Sequence, residues 1–310
     1  MIMTAEADEY GQHHPIETEE RIATAITEMD TALSLLDANK KNNWEEAKTK
    51  CPLSMVDDSH KRMFLRTDVY EIDVSRLWLS HVKTNPIIRI LTHTLSWLQL
   101  AVKRLVQYWD KRVELFGKEK AFMPLTLSAL KDEDMIALTA GFSTVMEGTD
   151  ESGRGIFMVN PSKKDLSKYS RVAMVRAIWY MVHAMLESHE SIQQKGVVVI
   201  ICSRDAKLSH FDRKLDDMIL QSLKGVLPMR ISVFHICQPP TVFALVFPFL
   251  RMMIGPRLRK KIKVHSDSTD NVLEQLARYG LSKNILPAEL GGMKEVDSVK
   301  WLEARKKAEE

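Results

Sequence analysis

The sequence predicts an α/β protein, in which a helical N-terminal subdomain precedes a mainly parallel β-sheet flanked by helices. Three observations carry that prediction. Up to about residue 120, apolar residues recur at three- and four-residue steps. From about residue 155, short β-branched or aromatic runs alternate with helical patterns. One of these runs, "GVVVIICS" (196–203), is apolar on both faces, as a central parallel strand covered on both sides must be.

Taken in order, residues 1–17 are polar and acidic, lack the apolar region of a secretory signal, and read as disordered. A helix is predicted over 18–38, where Ile22, Ile26, Met29, Leu33 and Leu36 form one stripe. Thr18 is its expected cap, and Glu19 and Glu20 lie in its first turn. A short helix over Trp44–Lys50 is stopped by Pro52. Val102, Leu105, Trp109, Val113 and Phe116 mark a further helix with Gly117 as its stop, closing a helical subdomain over 18–120. The strands are expected at 155–160, 196–203, 230–238 and 261–266. Between them, one helical stripe runs through Val172, Val175, Trp179, Val182 and Leu186, and another through Leu215, Met218, Ile219 and Leu223. Residues 240–254 are apolar nearly all round, and a last helix spans Thr269–Tyr279, ended by Gly280. The charged tail, 293–310, reads as a solvated helix or a disordered segment.

The 310 residues are 45% hydrophobic and 27% charged, the composition of an ordinary globular chain. A net charge of +3 argues against a nucleic-acid partner. No apolar run reaches the ~20 residues of a spanning helix. Cys51, Cys202 and Cys237 lie far apart and form no CxxC pair, so they read as small buried hydrophobes in a reducing compartment. Catalytic signatures are missing: there is no GxSxG, GxxxxGK[ST], GxGxxG or HExxH. Ser203, Asp205 and His210 are too close in sequence to form a triad, and His183, His189, His210 and His235 read as core or surface histidines. The chain reads as a non-enzyme.

One stretch, "FALVFPFLRMMIGPRLRKKIKV" (243–264), points to function. Phe243 to Ile254 carry a single charge, Arg251, whereas Arg257 to Lys263 hold five cations and no acid. A helix apolar all round needs protein on one side and another greasy partner on the other, either a bound lipid or a membrane surface. Cations next to it add about 1 kcal/mol each at an anionic leaflet. Together they describe reversible membrane contact.

The order of "GVVVIICS", "LSHF", "VLPMRISVFHICQPPTVFALVFPFL", "RLRKKIKVHS" and "ILPAELGG" (285–292) resembles the CRAL-TRIO family of lipid-binding proteins. "RMFLRTDVY" (62–70) and "AVKRLVQYWDKRVELFG" (101–117) resemble that family's helical N-terminal part. The resemblance implies a CRAL-TRIO domain over 121–292 whose lipid cavity lies between the sheet and a gate helix. Phe243, Val246, Phe247, Leu250 and Met253, with Ser209 of "LSHF", would line or cover that cavity. Arg230, Arg257, Arg259, Lys260, Lys261 and Lys263 would meet anionic, phosphoinositide-type headgroups. Lys261 matches the inositol-phosphate lysine of the yeast-type branch, although Met229 and Leu258 replace that branch's glutamate and threonine. In the tocopherol-type branch Ser232 replaces an expected cation, and Gln238 and Pro239 stand where Asn and a variable residue are usual. The implied function is binding, with intermembrane transfer, of a hydrophobic ligand by a cytoplasmic monomer that uses no cofactor. Lipid sensing or scaffolding is the alternative, followed by an enzyme with an unrecognised site.

Residues 74–99 fit neither subdomain. The segment has no acidic residue, holds Trp78 and Trp97, and contains Pro86, which should break any helix through it. Joining Asp73 directly to Leu100 places an acidic cap before a periodic helix, the arrangement of the family. The segment opens with Val74-Ser75, which the genetic code permits as the splice donor GTAAGT, and closes with Gln99, permitted as the acceptor CAG. Leu91-Thr92 can be read as the branch-point-like CTAAC. It reads as a retained intron, or as a genuine insertion such as an amphipathic membrane-binding hairpin.

Overall fold

The computed structural model describes residues 6–14, 16–68 and 86–310, and of residues 68 and 86–97 the helical backbone alone. The described residues form two compact units. The first holds the chain up to Pro124 together with Ser222–Arg230, and the second holds Leu125–Gln221 and Ile231–Glu310.

In the first unit, α1 spans Glu19–Ser34, α2 Asn42–Lys50, α3 Asp58–Asp68 and α4 Pro86–Ala121. Thr18 caps α1 by accepting from the Arg21 amide at 3.4 Å, and Ile26, Met29 and Leu33 are buried as the spacing requires. Trp44, His60, Phe64, Tyr108, Trp109 and Phe122 pack ring to ring with centroids 5.1–6.4 Å apart. Gly117, expected to end α4, takes φ 75° and kinks it instead. Arg112 closes the final turn by donating to Ala121 O at 2.6 Å, Met123 O at 2.5 Å and Tyr108 Oη at 2.6 Å. The expected disorder of residues 1–17 does not hold for the described part. Arg66 donates to both oxygens of Glu17 at 2.9 and 2.7 Å, and His14 lies 3.0 Å from Asp8.

Pro86 begins α4 rather than breaking a helix, because the first helical position has no intrahelical use for its amide. Residues 86–99 therefore continue into the helix expected from about 101, and Leu98 is buried. Residues 74–85, the remainder of the suspect segment, lie outside the described residues.

In the second unit a sheet of five strands runs in sequential order. These are β1 Ser143–Thr149, β2 Gly155–Val159, β3 Val197–Cys202, β4 Ile231–Cys237 and β5 Ile262–His265. β1 is antiparallel to β2, and the other neighbours are parallel, with Met158, Ile200, His235 and Lys263 in one register row. The sheet is thus mainly parallel, and β4 is buried along its whole length. β1 is absent from the sequence reading, since "STVMEGT" ends in acid, glycine and hydroxyl and its β-branched pair Thr144-Val145 is too short to stand out.

α5 Asp132–Thr139 precedes β1, and the crossover helices are α6 Arg171–Ser188 and α7 Glu190–Lys195, between β2 and β3, and α8 Arg213–Leu223, between β3 and β4. α6 is buried on most of its circumference, a wider face than one stripe, and Val172 is the stripe member that is exposed. Arg176 of α6 donates to the buried Asp134 of α5 at 2.9 and 2.7 Å. After β4 come α9 Phe243–Arg259 and, beyond β5, α10 Thr269–Ala277. The tail forms α11 Ser298–Glu309, and it is docked rather than solvated. Leu302 is buried, Trp301 packs edge-on against Tyr180 at 6.0 Å, and Glu309 accepts from Tyr180 Oη at 2.6 Å and from the Leu127 amide at 2.8 Å.

Candidate functional site

α9 leaves the buried end of β4 through Gln238-Pro239-Pro240 and contains Pro248 and Pro256. Gly255, at φ 79°, separates an apolar length up to Ile254 from a basic turn. The apolar length has two faces. On one, Val246 is buried and Phe243, Phe247, Leu250 and Met253 are half-buried, at the three- and four-residue steps of a single helix face. Phe243 stacks on Phe247 with ring centroids 5.0 Å apart. On the other, Leu245, Phe249 and Met252 are 65%, 50% and 59% exposed. Among the described residues, no helix is long and apolar enough to cross a membrane.

The predicted cations divide by exposure. Arg257, Arg259, Lys260 and Lys263 are exposed, and Arg259 donates to Arg251 O at 2.5 Å. Lys261 is half-buried, with Nζ donating to Ile231 O at 2.6 Å. Arg230 is buried, because it directly precedes a strand with no exposed position, so it does not stand among the surface cations. Ser209 lies exposed in a 3-10 turn after β3.

At the carboxyl ends of β2, β3 and β4 lies a cleft of about 240 Å³ lined by Asn160, Lys163, Arg204, Gln238 and Glu289 together with Cys202 and Cys237. None of its lining comes from α9. Glu289 of the "ILPAELGG" turn accepts from Asn160 Nδ2 at 2.9 Å and from Lys163 Nζ. The two glycines of that turn are required by space. A Cβ on Gly292 would meet Leu286 O at 2.0 Å, and Gly291, at φ 92°, would press on Thr269 at 2.4 Å. Cys202 and Cys237 are register partners on neighbouring strands, a proximity their 35-residue separation hides. Burial pushes the Cys202 thiol up to about 12 and raises that of Cys237 as well, so both stay protonated.

His235 is not isolated. It is fully buried, with Nδ1 2.8 Å from His265 Nε2, and His265 Nδ1 lies 2.7 Å from Gln275 Oε1. The amide oxygen of Gln275 accepts, so His265 Nδ1 donates to it, and one hydrogen bond joins His265 Nε2 to His235 Nδ1. Ser203 donates its hydroxyl to Cys237 O at 2.9 Å, and His210 Nδ1 accepts from the Lys207 amide at 3.0 Å.

A sheet in sequential order with one antiparallel edge, and a proline-bracketed apolar helix between its fourth and fifth strands, define an α/β protein. Residues 139–292 match the family model described as CRAL/TRIO domain, and that stretch of the chain is a domain of this family. It is 27% identical over 186 residues to the alpha-tocopherol transfer protein-like of Mus musculus, covering 59% of this chain and 51% of that protein. It is 29% identical over 199 residues to clavesin-2 of Mus musculus, covering 62% of this chain and 57% of that one. The chain thus spans about half the length of the curated relatives it matches. The solved structure described as the crystal structure of Sfh5 superposes with a TM-score of 0.50 at 12% identity, over 95% of this chain and 100% of that one, and shares its fold.

Proposed function

We propose that the protein binds a hydrophobic lipid under α9 and carries it between membranes, touching anionic surfaces reversibly. The observation that supports this reading is the doubly apolar α9. Its covered face supplies Phe243, Val246, Phe247, Leu250 and Met253 to the ligand, and its exposed face offers Leu245, Phe249 and Met252 to the acyl region of a bilayer. An isolated exposed Leu is unremarkable, but three large apolar side chains in one helical stripe mark a surface meant to be covered. The exposed Arg257, Arg259, Lys260 and Lys263 follow directly and suit phosphate headgroups, phosphoinositides included. A bound lipid takes the place of a cofactor, and no covalent step is involved. The relatives' printed name, a tocopherol transfer protein-like, supports a hydrophobic cargo.

Native mass spectrometry of the purified full chain tests the reading. A lipid-mass adduct is expected, exchangeable against vesicles of phosphatidylcholine carrying phosphatidylinositol phosphate. A spectrum without an adduct, together with no lipid uptake from those vesicles, would overturn it.

A further inference from the structure

The two ends of the apolar length of α9 share one construction: a residue at positive φ followed at once by proline. At the far end this is Gly255-Pro256, with φ 79°. At the near end it is Gln238-Pro239, with φ 51°, and among the described residues Gln238 is the only non-glycine in the left-handed region. Glycine takes that conformation freely, whereas glutamine must be held there. The neighbours of its side chain supply the hold. Arg204, from the loop after β3, donates Nε to Gln238 Oε1 at 2.8 Å and Nη2 to the same oxygen. Gln238 Nε2 donates to Thr269 Oγ1 at 3.1 Å, and Arg204 Nη2 reaches that hydroxyl at 3.0 Å. The Gln238 amide donates to His265 O at 2.7 Å. Thr269 is itself seated against Gly291, where any side chain would displace its methyl.

We infer that Arg204, Gln238 and Thr269 form a latch on the near hinge of α9, and that Arg204 is the positioning residue that keeps this lid shut. The inference rests on the lid reading above. Three segments far apart in sequence converge on one strained residue, and the guanidinium grips a side chain whose only structural demand is to stay where it is. Proline at 239 turns any release of Gln238 into a swing of the following helix, because its own φ is locked. Arg204 is exposed and lines the 240 Å³ cleft, so the latch is open to solvent and can be released without unpacking the core. A core contact would not allow this.

Hydrogen exchange of the full chain without vesicles tests the latch. In Arg204→Ala, amides of the peptide 241–259 should exchange about tenfold faster while peptides over β3 and β4 stay unchanged. Arg204→Lys, with a single-point donor in place of the fork, should fall between that variant and the wild type. Gln238→Ala, which keeps a side chain that disfavours positive φ but removes the group that Arg204 and Thr269 hold, should accelerate exchange at least as much as Arg204→Ala, and the double variant should add nothing beyond Gln238→Ala, because the Arg204–Gln238 contact is already lost in it. Unchanged lid exchange in Arg204→Ala, acceleration that spreads into the sheet, or additive single effects would each overturn the latch. Vesicle transfer separates this result from the lipid reading. If the wild type moves lipid and Arg204→Ala does so at the same rate, the latch fails and the carrier stands. If lid exchange responds to Arg204→Ala but the wild type takes up no lipid, the latch stands and the carrier fails.

Discussion

Phe247 and Phe249 are two residues apart on one helix, so their side chains point to nearly opposite sides and take opposite tasks. Phe247→Asp places a charge on the covered face and should abolish lipid loading, with the melting temperature within a few degrees of wild type. Global unfolding of that variant would instead make α9 ordinary core, where an unpaired charge costs several kcal/mol. Phe249→Asp should leave loading intact and weaken vesicle contact, read by co-sedimentation. Buried titratable groups give a second prediction at this scale. Burial pushes His235 down to about 3, helped by His265, Lys263 and Arg154. Its unfolded form takes up a proton near pH 6.5, so this histidine removes stability as pH falls from about 6.5 toward 3. Asp216 behaves oppositely. Burial and then Asp212 raise it to about 7 against the pull of Lys164, so it removes stability as pH rises from about 4 to 7. Asp216→Asn should therefore gain about 1–2 kcal/mol over wild type at pH 8 and little at pH 4, measured by urea unfolding. Parallel pH profiles for the two proteins would contradict the assignment.

At the scale of elements, the basic turn after Gly255 should act through charge alone. Reversing Arg259 and Lys260 to Glu is expected to weaken binding to anionic vesicles and to preserve ligand capacity. The difference should shrink with salt, because exposed charges are screened within about 10 Å at 0.1 M. Equal wild-type binding to neutral and anionic vesicles would refute it. The structure decides which side chains of α9 are half-buried and which exposed, whereas its apolar character nearly all round was legible in the sequence. Its hinges were not, because backbone φ at Gln238 depends on Arg204 and Thr269, more than 30 residues away on either side. Segment 74–99 carries a prediction of another kind. Sequencing of the mature transcript should return a dominant message in which Asp73 is followed by Leu100. Uninterrupted coding through Val74–Gln99 would refute the intron and leave a genuine insertion leading into α4.

For the molecule as a whole, the C-terminal helix closes the second unit. Removing Ser298–Glu310 strips the acceptor from Tyr180, the cap from the Leu127 amide and the buried Leu302. A fall of several degrees in melting temperature is expected, since the loss of Leu302 alone is worth about 2 kcal/mol or more. A truncated chain melting with the intact one would show that the helix only rests on the surface. By itself, the sequence determined the fold class, the four parallel strands, the helical N-terminal unit and the apolar helix followed by its cations. Each is a local repeat of 3.6 or 2 residues, or a composition shift, and backbone geometry makes such patterns readable. Tertiary structure alone decided the antiparallel edge strand, the docking of the charged tail, the burial of Arg230, the His235–His265 pair and the grip of Arg204 on Gln238. The edge strand is one arm of a hairpin joined by residues 150–154 and carries only a weak strand composition, while the other four depend on which side chains meet once distant segments pack, and no local period encodes that meeting.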